Sequence, residues 1–251
     1  KLLNYAVIYS KLHLIEKLKK IGVKAAMNID KSVALMEDEY FRQYLYRNNT
    51  QLLQQLQIYG VSFRNQFKMT PLMCASYVGN DEKALDILAL EPKLDLVDNS
   101  GRTALQIALM RSYQDQKYMK NKLSKIYSLL VDDAISLKLG NHLVKIDRRK
   151  GEYFILMQLL ALTKLQNKDC DRNYRISFTA SVLAKKFEDF SDEVLLSYRG
   201  RQQYISSMLS KNEEDSRHKY THRIFKRVKR GHYIVSEGME IRCDGNWYAF
   251  A

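Results

Sequence analysis

The feature that most restricts how this chain can fold is a spacing. Two stretches of its 251 residues align at a fixed offset, KMTPLMCASYVGN from Lys68 and GRTALQIALMRSY from Gly101. Thr70 and Thr103 stand 33 residues apart, as do Leu72 and Leu105, and Ala75 and Ala108. A recurrence at this period means that one supersecondary unit stacks on its neighbour, because a single unit cannot bury its own apolar face. In each copy the threonine is placed to cap a helix. In the first copy Pro71 takes the first helical position, where a missing N–H costs nothing. The leucine points into the core, and the alanine lets the paired helix approach closely. ALDILAL (Ala84–Leu90) supplies the second helix, and LVDNSGRT (Leu96–Thr103) the turn into the next unit.

The T-P-L-x-x-A pattern at this period resembles the ankyrin repeat. The resemblance extends over residues 1–133 as about four units, the second and fourth irregular. LLNYAVIYSKLHLIEKLKKIGV (Leu2–Val23) has the apolar spacing of two short helices closing at Gly22, a residue suited to the left-handed position after a helix. NNTQLLQQLQIYGVSF (Asn48–Phe63) repeats the second of these and closes at Gly60. The helix before it, within VALMEDEYFRQYLYR, is several residues too long, and the fourth unit degenerates after Arg111. The histidine usual in the family's T-P-L-H signature is replaced by Met73 and Gln106, which is expected to remove a local hydrogen bond and leave the packing intact. The resemblance implies a concave face that holds a protein partner, and no chemistry. A generic array of helical hairpins is the alternative.

After a helical stretch, Tyr118–Asp132, the period changes from residue 134 onward. ISLKLGNHLVKID (Ile135–Asp147) alternates on either side of Gly140-Asn141, a two-residue hairpin signal. The helix predicted over Glu152–Gln166 is apolar nearly all round and so belongs inside. A polar loop, NKDCDRNYRISF, ends in a short strand. Thr179 caps a helix in TASVLAKKF, with Val182, Leu183, Ala184 and Phe187 inward. EDFSDEVLL leads to a helix at about Tyr198–Lys211 that buries Ile205, Met208 and Leu209. Two strands, about Ile224–Val228 and His232–Val235, meet at Lys229-Arg230-Gly231. NWYAF (Asn246–Phe250) reads as a strand packing back onto the core, with Trp247 structural.

This order of helix, short strand, helix, helix and hairpin is similar to a winged helix-turn-helix. Phe225, Val228, Gly231 and Tyr233 match the F-x-x-V-x-x-G-x-Y wing of several such families. The expected fold class is therefore mainly α: an ankyrin-type helical repeat array over 1–133, then a small α/β winged helix-turn-helix domain with a preceding β-hairpin over 134–251. Another small α/β module is the alternative for the second half.

Charge bears on partners rather than on fold. The net charge of +13 and pI near 9.5 favour polyanions such as nucleic acid or an acidic protein surface. The excess is spread evenly, with 20 Lys/Arg against 14 Asp/Glu in residues 1–140 and 21 against 14 in 141–251, so only local clusters are informative. One such cluster is YTHRIFKRVKRGHYIV (Tyr220–Val235), which holds Arg223, Lys226, Arg227, Lys229 and Arg230 and no carboxylate. By the winged-helix resemblance, Gly231 permits the tight wing turn. Lys226, Arg227, Lys229 and Arg230 would contact phosphates, which position a domain without reading sequence. The outer face of the helix before them would carry Arg199, Gln202, Gln203, Ser206 and Ser210, with Arg201 near its start. Guanidiniums and amides are the groups that read base edges. About five to eight phosphate contacts would make binding to double-stranded DNA steeply salt-dependent.

Glu188, Asp189, Asp192 and Glu193 stand just before that helix and would repel phosphate. A second reading therefore stays open, a scaffold or effector whose two halves both bind proteins and no nucleic acid.

The sequence gives little sign of chemistry. It has no GxxxxGK[ST], no GxGxxG after a strand and no HExxH. His218 and His222 have helical spacing but no third ligand, and read as surface histidines. Asp169, Cys170 and Asp171 read as loop residues. A nuclease or hydrolase would need carboxylates that converge only in space. Cys74, Cys170 and Cys243 are scattered and odd in number, which suggests reduced thiols and a cytoplasmic protein, or a nucleoid or nuclear one if DNA is bound. The longest apolar run, Tyr153–Leu162, is about half a membrane span. No enzymatic activity, cofactor, metal, membrane or small-molecule substrate is expected.

Overall fold

The computed structural model describes residues 61, 64, 68–166 and 177–249. The units expected before Gly60, and the loop carrying Asp169, Cys170 and Asp171, lie outside the described residues.

The repeat begins as its caps dictate. Helix α1 (Pro71–Val78) starts with Thr70 Oγ1 accepting from the Met73 amide at 3.2 Å, and Pro71 fills the first position. Gly79, at φ 70°, closes it, and Asn80 caps α2 (Asp81–Leu88) by accepting from the Lys83 amide at 3.0 Å. Helix α3 (Ala104–Gln114) repeats the pattern, with Thr103 Oγ1 accepting from the Gln106 amide. Leu72, Ala75, Leu105 and Ala108 are all buried, as the period predicts. The turn between units is tied by Asp98, whose Oδ1 accepts from the Ser100 and Arg102 amides, both at 2.9 Å.

The expected loss of a hydrogen bond at Met73 and Gln106 does not occur. The Thr103 amide donates to Gln106 Oε1 at 3.1 Å, and the Thr70 amide to Met73 Sδ at 3.3 Å. An amide oxygen is a full acceptor and a thioether a weak one, so both side chains still close the cap.

Two further expectations change. α3 runs on past Arg111, whose guanidinium pairs with Asp115 at 2.7 Å. The helical stretch expected over Tyr118–Asp132 is two helices, α4 (Gln116–Asn121) and α5 (Leu123–Leu130). They part at Lys122, where the backbone leaves helical geometry and the ammonium donates to the Val78 carbonyl at 3.0 Å. Tyr118 donates its hydroxyl to the Ser76 carbonyl, so the break lets this segment clasp the end of α1.

In the second half β1 (Ala134–Leu139) and β2 (His142–Asp147) pair antiparallel across Gly140-Asn141. Helix α6 (Gly151–Gln166) follows, then α7 (Ala180–Phe187), a 3-10 turn (Ser197–Gly200) and α8 (Gln202–Lys211). Strands β3 (Phe225–Lys229) and β4 (His232–Val235) form a hairpin. Phe178 bridges antiparallel to Tyr233 and adds a one-residue third strand. Strands β5 (Met239–Cys243) and β6 (Asn246–Ala249) join the first hairpin in an open four-stranded sheet of order β2-β1-β5-β6.

Two details depart from expectation. β6 does not pack back onto the core: it is the outer strand, paired to β5, largely exposed, with Trp247 half-buried. Val182 faces solvent, because α7 turns Leu183 and Phe187 inward.

Helix α6 explains why the two halves cohere. It packs on α3 of the repeats on one side and on α8, β2 and β4 on others, and every residue from Gly151 to Leu162 is buried. One cluster of buried side chains therefore runs from Met69 to Cys243. Polar clamps reinforce it. Lys164 donates to the carbonyls of Ser100 and Gly101 at 2.8 and 2.9 Å, and Tyr113 donates to Gln158 Oε1 at 2.6 Å. Lys93 pairs with Asp244 at 2.9 Å. Among the described residues no helix is long and apolar enough to cross a membrane.

Candidate nucleic-acid interface

Helix α8 buries Ile205 and Leu209 completely and Met208 in part, chiefly against α7. The 3.6-residue period then sends Gln202, Gln203, Ser206 and Ser210 outward, and all four are exposed, with Arg201 exposed at the helix start. Among the described residues, no part of the repeats covers this face. The helix is shorter than expected, because Gly200 ends the 3-10 turn and Arg201 is extended at φ −69°, ψ 138°. Arg199 thus sits on the turn and not on the outer face of α8. Its guanidinium donates to the Arg149 carbonyl at 2.8 Å and the Tyr198 hydroxyl at 3.0 Å, binding the turn to the segment before α6.

The hairpin is anchored to the end of α8. The Phe225 amide donates to the Asn212 carbonyl at 3.1 Å, the Glu214 amide to the Phe225 carbonyl at 2.8 Å, and the Phe225 ring is fully buried. The strands close through Arg230-Gly231, where Gly231 has φ 74° and Lys229 faces His232. A β-bulge between Arg227 and Lys229 adds local twist near the tip, and Val228 is exposed beside it.

The four cations differ in what they can do. Lys226 pairs with Glu237 at 3.1 Å. Arg227 Nε lies 2.8 Å from Glu213 Oε2, and its guanidinium carbon 5.5 Å from the Tyr233 ring centroid. Lys229 and Arg230 are exposed and make no ion pair among the described residues. The carboxylate-free stretch therefore overstates the free charge, since its partners come from either side of it. The Glu213–Arg227 pair also joins the end of α8 to the β3–β4 hairpin at one corner. Glu188, Asp189, Asp192 and Glu193 are exposed in the connection after α7.

The histidines part company. His218 is exposed, but His222 is half-buried with Nδ1 3.1 Å from Oε1 of Glu152, whose side chain is 5% exposed. The His222 amide also donates to Asn212 Oδ1 at 3.0 Å, so this residue ties the segment before β3 to the start of α6. That role was illegible because Glu152 is remote in sequence. Among the described residues no group of three or more His, Cys, Asp or Glu could hold a metal ion. Burial pushes the Cys74 thiol up to about 12, leaving it a packing residue and not a nucleophile.

Residues 43–125 match the family model for ankyrin repeats, in three copies. Comparison with curated proteins and with solved structures finds no match. An N-terminal region of ankyrin repeats thus precedes a smaller mixed α/β region with open sheets.

Proposed function

We propose that this chain is a non-enzymatic adaptor or regulator whose ankyrin repeats hold a protein partner and whose C-terminal region is a winged helix that docks on double-stranded DNA. The observation that carries the reading is the pairing of two exposed groups on adjoining elements. One is the polar face of α8, with Arg201, Gln202, Gln203 and Ser206. The other is the Lys229-Arg230 tip of the β3–β4 hairpin, with no carboxylate partner among the described residues. In this reading the amides of α8 face base edges in a major groove. Lys229 and Arg230 meet phosphates, and Lys226 and Arg227 support the wing through Glu237 and Glu213 and exchange those partners for phosphate only at close approach. The Phe178–Tyr233 bridge supports the assignment too, since it places the short strand beside β4 in one small sheet.

Titration of labelled duplex DNA with the full chain tests this. The expected result is binding at low salt that Lys229→Glu/Arg230→Glu weakens by about tenfold or more, as loss of two phosphate contacts requires. Negligible affinity at low salt, or equal affinity of the variant, would contradict it. One observation favours a second reading. Four exposed carboxylates beside α8, and the neutralised Lys226 and Arg227, suit a protein-binding surface in a scaffold without nucleic acid.

A further inference from the structure

Between the repeats and the four-stranded sheet lies a cleft of about 470 Å³ that the DNA reading does not use. Its size falls within the range of small-ligand pockets, about 300–1,000 Å³. Leu105 from α3, Met157 from α6 and Ile241 from β5 give it apolar walls. Two carboxylates, Asp95 and Asp132, line the same space. Asp95 Oδ2 accepts from the Asp244 amide at 2.6 Å, while Asp132 makes no ion pair among the described residues. The Asp132 side chain reaches solvent at the rim, yet its pKa is raised, by burial first and by the fields of Asp95 and Asp133 second. Arg242 is also on the rim, exposed to solvent.

Two further groups point to a ligand independently of the acids. Tyr153 is 1% exposed and lines the cleft, and its hydroxyl has no hydrogen-bond partner among the described residues. Gln106 is 4% exposed and lines it too: its Oε1 accepts from the Thr103 amide, and its Nε2 has no such partner. Neither donor is sealed in the interior: both residues are buried on every other side and open only onto the cleft. Both can donate, so both want an acceptor in the cleft.

We propose that the cleft binds an organic amine, with an ammonium or guanidinium group between Asp95 and Asp132 and an apolar stem along Leu105, Met157 and Ile241. An oxygen on the ligand accepts from the Tyr153 hydroxyl and the Gln106 amide. A free amine and the lysine side chain of a bound peptide share this chemistry, the peptide carbonyl being the acceptor in the second case. The site is independent of the DNA reading and stands or falls separately.

Isothermal titration of the full chain with tyramine and with the peptide acetyl-Gly-Lys-Gly-amide tests it, alongside 4-(2-hydroxyethyl)phenol as the neutral counterpart of tyramine and the norleucine peptide as that of the lysine peptide. At least one cation should bind saturably and about tenfold or more tighter than its neutral counterpart, since a charge-assisted contact replaces a neutral one. Asp132→Asn, a change at the solvent edge, should remove that preference while leaving the near-ultraviolet circular dichroism intact. Binding of the free amine identifies a small ligand, and binding of the peptide alone identifies a side chain. Equal affinity for charged and neutral compounds, or no saturable binding of any, would overturn the proposal with wild-type protein alone.

Discussion

At Gly79 the backbone stands at φ 70°, and an added Cβ would meet Lys122 Cδ at 2.6 Å and Tyr118 Cε2 at 2.7 Å. The left-handed conformation costs a side chain about 1–2 kcal/mol, and overpacking adds about 1–3 kcal/mol. Gly79→Ala should therefore lower stability by about 2–5 kcal/mol in urea unfolding, and a change below about 0.5 kcal/mol would contradict the close approach of α4 to α1. Asp115 gives a second test. It accepts from the Lys117 and Tyr118 amides at 2.9 and 3.1 Å and pairs with Arg111. Burial alone would raise its pKa, but the two amides and Arg111 outweigh burial and hold it below the ordinary 3.8. A depressed folded-state value means that the stabilisation is fully present above 3.8 and is lost as pH falls through the lower value. Asp115→Ala should cost about 1 kcal/mol at neutral pH, and the difference from wild type should shrink on acidification below the ordinary value. A difference that stays constant in acid would exclude the ionised cap.

At the scale of elements α6 is decisive, because it is the wall common to the repeats and the α/β region. Leu160 within it is fully buried, so Leu160→Ala should cost about 2–5 kcal/mol. Far-ultraviolet circular dichroism follows the helices, and fluorescence of the single tryptophan, Trp247, follows the sheet. The two midpoints should fall together, and a shift in one alone would show that the halves unfold independently. The burial of α6 was legible as a helix apolar all round, but what it packs on was not. Short-range signals carried the rest of what could be read: Thr70-Pro71 and Thr103 for helix starts, Gly79 for a stop, Gly140-Asn141 and Gly231 for hairpins. The breaks at Lys122 and Arg201 escaped because contacts with Val78 and with Arg149 set them. Strand β5 escaped because its pairing of Ile241 with Leu137 joins segments far apart in the chain. In the candidate site the outward face of α8 followed from the apolar spacing of Ile205, Met208 and Leu209. The neutralisation of Lys226 and Arg227 did not, since Glu237 and Glu213 lie outside the cationic run.

For the whole molecule, a continuous core means that the repeats and the β3–β4 hairpin belong to one packed body, and the cleft beside α3 and β5 is part of the same wall. The net charge of +13 draws any polyanion, so affinity alone is a poor discriminator at low salt. The salt dependence of duplex binding is a sharper one, because each phosphate contact releases counterions. For the wild-type chain, log Kobs should fall with log salt at a slope near −0.9 per contact, and Lys229→Ala/Arg230→Ala should flatten it by about 2. A slope near zero, or one that the double alanine variant leaves unchanged, would contradict docking of the α8–wing surface on DNA.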